Sequence, residues 1–218
     1  MKRKAILYLI LTVLVLGGGG IGSYYWYMGQ HYVSTEDARV TGDIYRVMSR
    51  ISGKLVSITI EEGDQVTADQ IVGKEDTTNL AGYQLDNATL RSPITGRVIK
   101  INSKEGEYVS AGQAVAMVID ESKLYIAANI EETEIGRISV GQPVTFTVDA
   151  FAGKEFTGTV SEVGQATNST FALLPSTSSS GNFTKVTQRI PIKIAIDQTD
   201  TPLFAGANAV ISIQVKGI

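Results

Sequence analysis

The 218-residue chain contains no cysteine, which removes a disulfide framework, a thiol nucleophile, a thiolate metal cluster and an acylated lipoprotein start in one step. Histidine is nearly absent too. The single imidazole, His31, has no second histidine to work with, and its place beside Tyr32 suits a membrane interface better than catalysis or metal binding. An excess of basic charge is also missing: 19 Lys and Arg face 22 Asp and Glu, a net charge of −3. Lys2, Arg3 and Lys4 account for three of the positive charges, so the remainder carries 16 against 22, or −6, and a nucleic-acid partner is excluded. The densest carboxylate group, Glu131, Glu132 and Glu134, offers fewer oxygens than a hard cation takes and reads as the charged start of a helix. No catalytic residue, cofactor site or metal site is expected.

What the chain does contain is a duplication. Residues 51–72 recur without a gap as residues 94–115, and a shift of 43 positions gives nine identities in 22. Ordinary residue usage would give about one or two. The matches are Ile51 with Ile94, Gly53 with Gly96, Ile58 with Ile101, Glu62 with Glu105, Gly63 with Gly106, Val66 with Val109, Ala68 with Ala111, Gln70 with Gln113 and Val72 with Val115. Each copy begins I-x-G-[KR]. Val56, Ile58 and Ile60 in the first copy, and Ile99 and Ile101 in the second, alternate with polar residues, predicting strands that bury those side chains. Gly53, Gly63, Gly96 and Gly106 are expected at turns. One copy has too few strands for a core of its own, but two facing each other enclose a small sandwich.

Residues 5–28 form an uncharged, mostly apolar run of 24 residues. As a helix it reaches about 36 Å, enough for a bilayer core. Lys2, Arg3 and Lys4 set the N-terminus in the cytoplasm, Tyr24, Tyr25, Trp26 and Tyr27 suit an aromatic belt, and the rest of the chain is expected outside. The run is long and no A-x-A site ends it, so a retained anchor is favoured over a cleaved signal peptide. Residues 17–20 are all glycine, but no Lys-Ser/Thr follows them to make a phosphate loop.

The expected organisation is a basic start and anchor at 1–28, a duplicated unit at 29–123 and a small β-barrel at 124–218. In the duplicated unit the halves fall near 36–76 and 91–120, with a linker at 77–90. Candidate barrel strands are 124–130, 144–148, 158–163, 190–196 and 209–215, with a short helix within 132–139. Residues 165–189 form one long loop rich in Ser and Thr. Its Phe171, Leu173, Leu174 and Phe183 are apolar in polar surroundings and are candidates for partner contact.

Several motifs then carry a resemblance: Ser34-Thr35-Glu36-Asp37-Ala38, the two I-x-G-[KR] copies, and Leu90-Arg91-Ser92-Pro93-Ile94-Thr95-Gly96 opening the second. With the N-terminal anchor they resemble the membrane fusion proteins, or periplasmic adaptor subunits, of the HlyD type. Phe171-Ala172-Leu173-Leu174-Pro175, Gly181-Asn182-Phe183-Thr184-Lys185-Val186 and Gln188-Arg189-Ile190-Pro191 are similar to the EmrA branch of multidrug efflux adaptors. The resemblance implies a mainly β fold, with a lipoyl-like barrel-sandwich hybrid followed by a β-barrel. It implies a non-catalytic subunit, homo-oligomeric, in the cell membrane beside an inner-membrane transporter of the major facilitator class. An accessory role beside an ATP-driven exporter or peptide secretion system is the alternative. Longer members insert a helical hairpin between the lipoyl halves. The 14 residues of 77–90 cannot build one, so contact with an outer-membrane channel is not expected. A lipoyl or biotinyl carrier would need its modified lysine at a hairpin tip, and Gly73-Lys74-Glu75-Asp76 matches neither carrier motif.

Overall fold

The computed structural model describes residues 2–78, 82–171 and 187–215, with side chains at positions 2–10, 83, 84 and 171 excluded. In chain order the elements begin with α1 (Lys2–His31), β1 (Tyr32–Thr41), β2 (Ile44–Met48), β3 (Gly53–Ile58), β4 (Gln65–Val66) and β5 (Ile71–Glu75). A 3₁₀ helix (Gly82–Ala88) leads into β6 (Thr89–Arg91), β7 (Gly96–Ile101), β8 (Tyr108–Val109) and β9 (Ala114–Ile119). There follow β10 (Tyr125–Glu131), α2 (Glu132–Ile135), β11 (Pro143–Val148), β12 (Glu155–Val163), β13 (Arg189–Ile196) and β14 (Asn208–Gln214). They divide into two compact units, one of residues 41–124 and one of residues 1–40 with 125–218.

The 41–124 unit realises the duplication as two four-stranded sheets, β2-β9-β7-β4 and β6-β5-β3-β8. Adding 43 to the strands of the first copy turns one sheet into the other, and the bonds follow the same rule. Gly63 N donates to Val98 O as Gly106 N donates to Leu55 O, both at 2.8 Å. Ser49 N donates to Gln113 O (3.0 Å) as Ser92 N donates to Gln70 O (2.9 Å). Each half therefore completes strands of the other, and neither sheet belongs to one copy alone.

The matched residues have matched tasks. Glu105 Oε1 accepts from Ile58 N at 2.8 Å, and Glu62 Oε1 accepts from Ile101 N at 2.9 Å. Each glutamate thus caps a backbone amide of the opposite half. Gln70 Oε1 closes its own turn on Thr67 N (2.8 Å) and Gln113 Oε1 does so on Ser110 N (3.0 Å). Ser49 and Ser92, both buried, donate to the carbonyls of Ile51 and Ile94. Replacing Glu62 or Glu105 by Ala should each cost about 1 kcal/mol, and the double variant about 2 kcal/mol, in urea denaturation of the full chain. An undiminished midpoint in the double variant would show that the caps contribute nothing.

The buried face agrees with the expected one at Ile60, which is in the core, and at Ile58 and Ile101, which pack against it, and departs from it at Val56 and Ile99. Leu55 is fully buried while Val56 is 57% exposed, and in the second copy Val98 is buried while Ile99 is half-buried. The reason is a bulge. Pairing slips between Leu55 and Ser57 in β3, and 43 residues later between Val98 and Lys100 in β7. One extra residue on each strand shifts the alternation by one position, so Leu55 and Val98 point inward. With Val47, Ile60, Val66, Val72, Leu90, Val109, Val115 and Val118 they form one apolar core. Of the glycines expected at turns, Gly63 (φ 98°) and Gly106 (φ 88°) do turn the chain, whereas Gly53 and Gly96 open strands β3 and β7.

The other unit contains a closed six-stranded barrel, ordered β1-β10-β13-β12-β11-β14. Strict alternation supplies its interior: Ile126, Ala128 and Ile130 from β10, Val144, Phe146 and Val148 from β11, Ala209, Ile211 and Ile213 from β14. Phe146 and Phe156 stack at 5.4 Å between ring centroids. The five strands expected after residue 124 are present. The sixth is β1, whose residues fall within the 29–123 unit expected from the sequence but belong to the barrel. β1 pairs with β14, and its register slips between Thr35 and Ala38. Val33 lies inward before that slip and Ala38 and Val40 after it. The bulge hides the alternation, and the whole 41–124 unit intervenes before the partner strand.

Helix α1 is one continuous element of 30 residues. Among the described residues, no helix is long and apolar enough to cross a membrane.

Candidate functional site

The bulge in β1 begins a polar site at the base of the long loop. Thr35 Oγ1 donates to Asn129 O at 3.1 Å and accepts from Asp37 N at 3.1 Å, which fixes the slipped backbone. Asp37 is thereby turned toward Arg189 and forms an ion pair with it. Arg189 opens β13, immediately after the loop. On the other side of the loop, Asn168 Nδ2 donates to Asn129 Oδ1 at 2.9 Å. Glu132 N donates to Gln188 O at 2.9 Å. Both ends of the loop are therefore tied to β1 and β10.

Beside these ties lies a cleft of about 250 Å³, lined by Val33, Ser34, Thr35, Asn129, Ile130, Glu131, Glu134 and Arg189. Arg137 adds a clamp at its edge. Its guanidinium bonds Glu134 at 2.5 Å and the carbonyls of Gly29 and Gln30 at 2.9 and 2.7 Å, joining the end of α1 to the start of α2. The motif around Thr35, part of the HlyD-type resemblance, and the motif around Arg189, part of the EmrA-like one, are thus parts of one structure. Sequence spacing gave no signal for this, since the paired residues lie 152 positions apart.

The expected contact residues Leu173, Leu174 and Phe183 lie outside the described residues, as does the side chain of Phe171. Phe171 itself ends a short 3₁₀ turn, Asn168–Phe171, at the departure of the loop. Glu132 and Glu134 fall in the first turn of α2, and Glu131 precedes it. Lys74 lies within β5, opposite Ser57 on β3 and Thr89 on β6, and not at a hairpin tip. Between Glu75 and Thr89 the join of the two halves spans residues 76–88, and its described part holds the 3₁₀ helix Gly82–Ala88.

Comparison with known proteins assigns both units. Residues 43–121 match the barrel-sandwich hybrid domain of RND MFPs, and residues 124–213 match the YknX-like β-barrel domain. YhbJ of Bacillus subtilis (strain 168), assigned provisionally to an efflux system, is 40% identical over 183 residues, covering 84% of this chain and 80% of that protein. The chain belongs to the membrane fusion protein family. Among EmrA relatives, the multidrug export protein of Haemophilus influenzae is 34% identical over 151 residues, which is 67% of this membrane fusion protein and 39% of that one. The chain therefore spans most of YhbJ and well under half of EmrA. The fold agrees with the periplasmic adaptor protein EmrA (TM-score 0.59, 14% identity, 85% of this chain and 99% of that one). It agrees equally with the membrane fusion protein Spr0693 of Streptococcus pneumoniae R6 (TM-score 0.61, 17% identity, 86% and 99%). The recognised family, the mainly β fold and the adaptor role in efflux all agree with the sequence reading.

Proposed function

We propose that this membrane fusion protein is held in the membrane by α1, with both β units outside the cytoplasm, and joins an inner-membrane transporter of the major facilitator class to form a multidrug efflux system. Kinship to EmrA proteins over much of the chain supports the transporter class. The uncharged run of residues 5–28, preceded by Lys2, Arg3 and Lys4, supports the anchor and its direction. The long loop is the transporter contact, through Phe171, Leu173, Leu174 and Phe183. The observation that carries this assignment is at the described ends of the loop, where the Asp37–Arg189 pair holds the start of β13 and the Asn129–Asn168 bond holds the 3₁₀ turn Asn168–Phe171. A tethered base limits the freedom that a loop loses on binding.

The adaptor works without an outer-membrane channel, because residues 76–88 are too few to form a long hairpin between the lipoyl-like halves. It assembles as a homo-oligomer.

Affinity purification from membranes of the native host tests these assignments together. The expected result is co-purification of a major facilitator transporter without a tunnel protein. Changing Phe171 and Phe183 to Ser should lower its recovery roughly ten-fold, since each residue removes buried apolar surface from the contact. Recovery of an ATP-driven exporter would replace the transporter assignment. Unchanged recovery in the double variant would remove the loop from the contact.

A further inference from the structure

Glu75 breaks the symmetry of the 41–124 unit. Its counterpart 43 residues later is Val118, fully buried in the apolar core, and Glu75 itself is only 2% exposed. Neither carboxylate oxygen has a hydrogen-bond partner among the described residues. The hydroxyl of Ser49, the one side chain that favours the charged form of Glu75, donates to Ile51 O. Burial pushes the Glu75 carboxyl above its usual range, and Ser49 pulls it back only in part. A carboxylate left charged here would be expensive, whereas a neutral carboxylic acid is tolerable.

The position gives that proton a structural role. Glu75 is the last residue of β5, opposite Leu55 on β3. The next amide, Asp76 N, donates to Lys54 O at 2.8 Å and is the final bond of the pairing before the chain departs toward the 3₁₀ helix. We propose that Glu75 is a proton-operated latch: uncharged, it seats the end of β5 against β3, and ionised, it pulls that strand end toward water and loosens the join between the two halves.

The charged groups on the surrounding elements do not supply a rival switch. They are Lys54 on β3, Lys74 on β5, Asp76 just after it, Arg91 on β6, and Arg46 and Arg50 on and after β2. All are exposed except the half-buried Arg91, which bonds Asp69 O at 3.0 Å and Asp86 at 3.4 Å. Asp76 is held below the usual carboxylate range by the hydroxyl and amide of Thr78, so it stays ionised when Glu75 titrates. The only histidine, His31, belongs to the other unit.

The direction of the effect follows from the neutral buried form. Stability of this strand end is full below the unfolded value of about 4.3 and declines as pH rises toward the raised folded value. Hydrogen exchange by mass spectrometry on the full chain in detergent, corrected for intrinsic rates, reads this directly. As pH rises from about 4.3, the unfolded value, to neutrality, protection in peptides covering 53–58 and 71–76 should fall several-fold, while the equivalent peptides at 96–101 and 114–119 hold steady. Glu75→Gln, which keeps the shape but never ionises, should abolish the pH dependence, as should Glu75→Val, which copies the other half. A wild-type profile flat across that range, or the same fall in Glu75→Gln, would overturn the latch. The latch belongs to the unit itself, so its outcome is separate from the identity of any transporter.

Discussion

Gly96→Ala is expected to destabilise the lipoyl-like unit by about 3 kcal/mol or more, while Gly53→Ala stays within about 1 kcal/mol, although both glycines occupy the same place in the duplicated motif. A Cβ on Gly96 would lie 2.2 Å from Ile119 O and 2.9 Å from Ile119 C, both backbone atoms of the neighbouring strand β9. No side-chain rotation relieves that clash, so β7 and β9 would have to separate. A Cβ on Gly53 meets nothing nearer than 3.9 Å. Urea denaturation of the two variants checks the contrast. Equal losses would mean that the two halves are closer to symmetric than the backbone positions allow.

The second large effect lies in the barrel. Phe146→Ala should cost about 4 kcal/mol, within the range for removing a buried aromatic ring. Phe146 is 1% exposed, faces the barrel interior from β11 and stacks on Phe156. The substitution leaves a cavity beside Phe156 that cannot close without moving strands that are joined into a ring. Phe146→Leu should recover more than half of the loss by restoring apolar volume. If both variants unfold at the wild-type urea concentration, the aromatic stack is not what holds the barrel.

Much of this was legible in the sequence because the duplication is long and ungapped. It identified both lipoyl-like halves, the turning glycines Gly63 and Gly106, and five of the six barrel strands. Two of the failures share one physical cause. A β-bulge adds a residue that no alternating pattern anticipates, so Val56 reads as core in place of Leu55, and β1 loses its stripe midway at Thr35 to Ala38. The Asp37–Arg189 pair was invisible for a different reason: closure of a barrel brings together strands that no local period relates. Glu75 was hidden by its company, since Lys74 and Asp76 on either side are solvated while the residue between them faces the core. The candidate loop residues were proposed from composition, and Leu173, Leu174 and Phe183 lie outside the described residues, whereas Thr35, Asp37 and Arg189 are tied together at the end of the loop.

The reciprocal caps made by Glu62 and Glu105 have a bearing on how such adaptors diversify. Because each copy holds its twin through space, the peptide segment joining them has little to do with keeping them in register. Its length is thereby released from the demands of the core, and evolution is free to shorten it to a stub or extend it into a long projection while the clasped pair beneath remains unaltered.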